Sequence, residues 1–138
     1  MAGFANLVVL DLECPDPRVL AEFYHQVLGW GVILTQDKYV EISDGSTRIL
    51  FTQVDGYQGA GWPTSAAPKR YHLCLQADDV AKAVKRCLEL GASNPEFQPG
   101  GDRWRVLTDP AGHPFCLAQA GQDLQPGTPD PGLSLSSS

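Results

Sequence analysis

One pattern occurs twice in this chain, and that repeat restricts its fold more than any other feature. In CPDPRVLAEFYHQVLGW, residues 14–30, Asp16 is a helix N-cap type and Pro17 suits the first helical position. Leu20, Phe23, Tyr24, Val27 and Leu28 then fall on one helical face, and Gly29 supplies a stop. In ADDVAKAVKRCLELGAS, residues 77–93, Asp79 caps, Val80, Ala83, Val84, Cys87 and Leu88 keep the same spacing, and Gly91 stops the helix. The flanks repeat as well. A strand-like run precedes each helix, NLVVLDLE in the first copy and RYHLCLQ in the second. Three short runs follow each helix: GVIL, KYVEIS and TRILFTQV first, then a weak run at Glu96-Phe97-Gln98, RWRVLT and PFCLAQ. Asp44-Gly45, Gly100-Gly101 and Asp109-Pro110-Ala111-Gly112 provide the turns.

The expected fold class is therefore α+β: two βαβββ modules, at about residues 5–54 and 70–120, forming paired curved sheets around a cleft. A Gly-, Pro- and Ala-rich linker spans 55–69, and a tail at 121–138, too poor in apolar residues to pack, is expected to be disordered. Together 1–120 make one domain. Burying one face of each sheet under a helix leaves the other face for the shared cleft.

Bulk properties narrow the partners. Ten basic residues stand against 16 acidic ones, for a net charge of −6, so a nucleic-acid backbone is not the expected partner. No apolar run reaches the ~20 residues that span a bilayer, so no membrane is expected either. MAGFANLVVLDLE has no basic leader region and reads as the first strand, not a signal peptide. The four cysteines include no CxxC pair and read as thiols of a cytoplasmic protein.

Strand alternation sorts the cleft residues from the packed ones. Val8, Leu10 and Leu12 should meet the helix, and Val9, Asp11 and Glu13 should face the cleft. Ile49 and Phe51 should pack, leaving Arg48, Leu50 and Thr52 inward. Leu73 and Leu75 should pack, leaving His72, Cys74 and Gln76 inward. Phe115 and Leu117 should pack, leaving Cys116 and Ala118 inward. His113 and Cys116, three apart, point to opposite faces, so they should not share a metal; His113 is expected to hydrogen-bond within its turn. Trp62, Trp104, Tyr39 and Tyr57 could line a site for a flat organic ligand. Cys14 and Cys87 read as structural, and His25 as solvated.

The motifs CPDP…LAEFYHQVLGW, the Trp62-Pro63 loop, HLCL…DDV…LGA and WRVLTDPAGHPFCL resemble the glyoxalase/bleomycin-resistance/dioxygenase (vicinal oxygen chelate) superfamily, in its glyoxalase-like subgroup. The resemblance covers roughly residues 5–120. It implies a homodimer, and a cleft metal held by His, Glu or Gln from the first and last strands of each module. The matching positions are Val9, Thr52, His72 and Cys116. Only His72 is of the usual ligand type, and Cys74 stands where the subgroup implies an aspartate. No cofactor is therefore expected at the family's position, although a shifted Cys74–His72–Cys116 zinc site is an alternative.

The expectation is a protein that binds a small organic ligand through His72, Asp11, Cys74, Cys116, Thr52, Arg48 and Trp62, without the family's usual metal. Whether it is an enzyme stays open. Its competitors are a metal-dependent lyase or isomerase or an extradiol-type dioxygenase with a non-standard site, an antibiotic-sequestering resistance protein, and a fold kept for protein contacts.

Overall fold

The structure is a computed structural model that describes residues 3–59, 71–101 and 103–121. These fall into two compact units, one ending at Gln58 and the other beginning at Gly59. Among the described residues no helix is long and apolar enough to cross a membrane.

The first unit runs β1 (Leu10–Cys14), α1 (Pro17–Leu28), β2 (Gly31–Thr35), β3 (Tyr39–Ser43) and β4 (Arg48–Gln53). Its sheet has the order β1-β4-β3-β2, with β1 parallel to β4 and the other pairs antiparallel. Local chemistry explains the boundaries. The Asp16 carboxylate accepts from the Arg18 amide at 3.0 Å, and Gly29 takes the left-handed conformation that ends α1. The Asp44 carboxylate accepts from the Ser46 and Thr47 amides and closes the β3–β4 turn. Those amides, Thr47 first, hold its carboxyl below the ordinary value. Leu20, Phe23 and Tyr24 bury the inner face of α1, and the Tyr24 ring stacks on Phe51. Ile49 and Phe51 are buried, whereas Arg48, Leu50 and Thr52 are less so, the period of a strand packed on one side.

Two expectations for this unit are corrected. The first strand does not begin at Asn6: Phe4, Leu7 and Val8 are exposed and pairing starts only at Leu10. Val8 therefore does not meet the helix: the β1–β4 ladder starts with Leu10 beside Ile49, and Val8 lies before it, exposed. His25 is not simply solvated. Its Nδ1 lies 2.6 Å from the Trp30 carbonyl, tying the end of α1 to the entry of β2.

The second unit runs β5 (Leu73–Ala77), α2 (Val80–Glu89), β6 (Trp104–Thr108) and β7 (Pro114–Gln119), with sheet order β5-β7-β6. β5 lies parallel to β7, just as β1 lies parallel to β4. Asp79 caps α2 by accepting from the Lys82 amide at 3.1 Å. The repeat is nevertheless incomplete, since Glu96-Phe97-Gln98 forms no strand. Pro95 and Pro99 flank it and cannot donate to a ladder. Two substitutes serve instead. A single bridge joins Ser93 to Thr108, and the Gln98 side-chain amide pairs with the Val106 backbone, donating to its carbonyl at 2.8 Å and accepting from its amide at 2.9 Å. One side chain thus imitates the missing neighbour strand at a fully buried residue.

Candidate functional site

The chemistry of the second unit is concentrated at the start of β5 and the middle of β7. Cys74 and Cys116 are direct partners in the parallel register, so their side chains leave the sheet on the same face, opposite to Leu73, Leu75, Phe115 and Leu117. His72, two residues before Cys74, shares that parity. One donor atom from each of His72, Cys74 and Cys116 lies within 4.8 Å of the others. Cys74 is exposed, His72 half-buried and Cys116 buried. None of the four cysteines is in a disulfide. The His72 Nδ1 is shut off from solvent and has no hydrogen-bond partner among the described residues. Behind the thiols, Val106 and Cys116 form a buried apolar patch against which Trp104 packs. The Trp104 ring in turn lies so close to Gly100 that a Cβ there would come under 3.0 Å from it, so only glycine fits this approach.

His113 does not join this group. Its amide donates to the Asp109 carboxylate at 3.0 Å, its carbonyl accepts from the Asp109 amide at 2.9 Å, and the same carboxylate accepts from the Ala111 amide at 2.9 Å. The turn before β7 is therefore organised by buried Asp109, which the sequence marked as a turn residue but not as a buried one. An acid opening a DPAG turn is the signal that could have found it.

The first unit holds the remaining candidates. The Thr52 hydroxyl donates to the Asp11 carboxylate at 2.8 Å, across the β1–β4 pair. The Arg48 Nε donates to the Glu41 carboxylate, and this bond, with the attraction between the two charges, pushes the guanidinium further up from its ordinary value. Glu41 is only 4% exposed, an unusual setting for a carboxylate, and was also missed from sequence. In KYVEIS it alternates with buried Val40 and Ile42, so strand parity already put it on the face of Arg48, Leu50 and Thr52. Val9 is half-buried and precedes β1. Among the aromatic candidates Tyr39 is exposed and Tyr57 half-buried, while Trp62 lies outside the described residues.

The mixed sheet with a parallel first-to-last strand pair, met once in each unit around its own helix, is the decisive architectural feature. The Glyoxalase-like domain family matches residues 7–118, spanning both units. The chain belongs to the glyoxalase-like domain family. It is thereby a member of the vicinal oxygen chelate superfamily. No curated protein matches it. Solved structures share the fold of this glyoxalase-like domain. One is a glyoxalase/bleomycin resistance protein/dioxygenase family enzyme from Burkholderia phytofirmans PsJN, 21% identical, covering 83% of this chain and 98% of that one with a TM-score of 0.64. A glyoxalase/bleomycin resistance protein from Albidiferax ferrireducens T118 is 17% identical, covering 82% and 97% with a TM-score of 0.57. Lactoylglutathione lyase from Agrobacterium tumefaciens is 19% identical, covering 84% and 94% with a TM-score of 0.55.

The metal implied by this family does not fit the residues present. Of the four matching positions, Val9 offers a hydrocarbon, and the Thr52 hydroxyl is committed to Asp11. A bound divalent ion needs about three protein donors, and the first unit supplies no such donor at either of its two positions.

Proposed function

We propose that this glyoxalase-like domain binds a small organic ligand without the family's usual divalent metal. The observation that carries this reading is the Thr52–Asp11 hydrogen bond, with valine at position 9: the first unit contributes hydrogen-bonding groups and a hydrocarbon where a metal-dependent member would contribute ligands. The recognition groups are Asp11, Thr52 and Arg48 in the first unit and His72, Cys74 and Cys116 in the second, with Trp62 as a further contact. Arg48 and Asp11 arrive with partners of their own, and pre-organised polar groups suit a ligand with matching donors and acceptors better than a purely apolar one.

A thermal-shift panel of small organic compounds, run on untagged protein with and without a strong chelator, tests the reading. At a hundredfold excess over Kd, a ligand stabilises by about 2.7 kcal/mol. The expected result is a rise in Tm that persists in the chelator arm, reduced in Asp11→Asn. A rise seen only without chelator, or turnover of a compound that chelator abolishes, replaces this reading with the metal-dependent enzyme.

We also propose that the chain pairs as a homodimer. Its β2 is an edge strand on which Val32 and Ile33 are exposed, and uncovered strand edges favour association. Light scattering at micromolar concentration is expected to give twice the monomer mass, and Ile33→Lys should halve it. A monomer mass for the unmodified chain sinks the proposal.

A further inference from the structure

We infer that His72, Cys74 and Cys116 form a binding site for a thiophilic d10 cation, with zinc as the reference ion, inside the second unit alone. The inference goes beyond the ligand reading, since it needs no organic ligand and no residue of the first unit.

Three observations carry it. The first is convergence. Donors around a tetrahedral zinc ion sit about 2.0–2.3 Å from the metal and hence about 3.3–3.8 Å from each other. The three donor atoms already lie within 4.8 Å of one another, so side-chain movement of at most about 1–1.5 Å closes the set. The backbone needs no change, because Cys74 and Cys116 are held level by the β5–β7 register. The second is donor chemistry. Two sulfurs and one imidazole select soft or borderline ions over magnesium or calcium, which take oxygen. On binding, each thiol gives its proton to solvent, two metal–sulfur bonds and one metal–nitrogen bond form, and two thiolate charges neutralise a divalent ion. The third is the unsatisfied His72 Nδ1. A buried ring nitrogen without a protein partner is rare in a folded chain, and either coordination or a hydrogen bond gained as the ring turns to coordinate would satisfy it.

The surroundings set the character of the site. Buried Val106 and the Trp104 ring lie beside Cys116 and keep water from one side of the sulfur. Cys74 is exposed and leaves the other side open. Three protein donors with one open side is the arrangement of zinc centres that keep a position for water or a further ligand, whereas a purely structural centre closes all four.

Cobalt(II) alone, then zinc, is titrated into the full, untagged chain after reduction and removal of metal, with no organic ligand present. The expected result is one cobalt per chain, an intense near-ultraviolet thiolate-to-cobalt absorption, and its loss on adding one equivalent of zinc. Cys74→Ser changes an exposed position and preserves the fold, and it is expected to weaken cobalt binding roughly 100-fold or more. His72→Ala should do the same, while circular dichroism stays unchanged. Bound zinc should also shield Cys74 from alkylation. The absence of a thiolate-to-cobalt band, or a band that survives unaltered in Cys74→Ser, overturns the inference. Either failure leaves the ligand reading standing, because that reading is scored in chelator.

Discussion

Asp109→Ala is expected to destabilise the protein by roughly 3–5 kcal/mol, a large part of the 5–15 kcal/mol typical of a small domain. The carboxylate is 3% exposed and accepts from two backbone amides, Ala111 and His113, both of which turn away from the α- and β-ladders that would otherwise use them. Hydrogen bonds to a charged acceptor contribute about 1.5–3 kcal/mol each, and two donors left without a partner cost about 1–3 kcal/mol each, the two figures overlapping because they describe the same bonds. Asp109→Asn keeps one carbonyl oxygen and should lose about half as much. Urea unfolding followed by tryptophan fluorescence gives both values. The consequence reaches the site. β7 begins at Pro114, immediately after this turn, so a loosened turn frays the strand that carries Cys116. A loss below about 1 kcal/mol would show that the turn holds without its carboxylate.

Phe51→Ala is expected to cost a further large increment, about 3–5 kcal/mol. Phe51 is fully buried and stacked on Tyr24 at a centroid separation of 5.8 Å with the rings 8° from parallel. Removing it leaves a void between β4 and α1, and takes away the contact that fixes Tyr24, which itself meets the Phe23 ring edge-on at 4.9 Å. Phe51→Leu, which retains most of the volume, should cost much less. The two substitutions also separate stability from function. Phe51 points away from the face of Thr52 and Arg48, so a folded Phe51→Leu protein should keep its ligand response while Asp11→Asn keeps its stability. Equal effects of the two on ligand binding would mean that strand alternation in β4 does not sort core from recognition groups.

What these residues reveal depends on how far apart the determining contacts are. The helices were legible because their determinants are local: the spacing of Leu20, Phe23 and Tyr24, the carboxylate of Asp16, and a glycine able to take φ of 74° at position 29 all act within a few residues. The face assignments of Thr52, Cys74 and Cys116 were legible for the same reason, because alternation follows from the geometry of a single strand. The donor chemistry at Val9 and Thr52 could likewise be read directly once the family resemblance marked those positions.

Tertiary structure decided the rest, wherever a side chain's partner lies far along the chain. Pairing began at Leu10, beside Ile49 of β4, and nothing within NLVVLDLE announces that limit. Glu41 became a buried carboxylate only when β4 laid Arg48 against it. The Gln98 amide took the place of a strand because β6 brought the Val106 amide and carbonyl against it, although the prolines on either side already argued against a ladder. The sequence by itself determined that His72, Cys74 and Cys116 share a face. That their donor atoms converge was settled by the parallel register of β5 and β7, for hydrogen bonding between strands separated by the whole of α2 and β6 fixes which residue stands beside which.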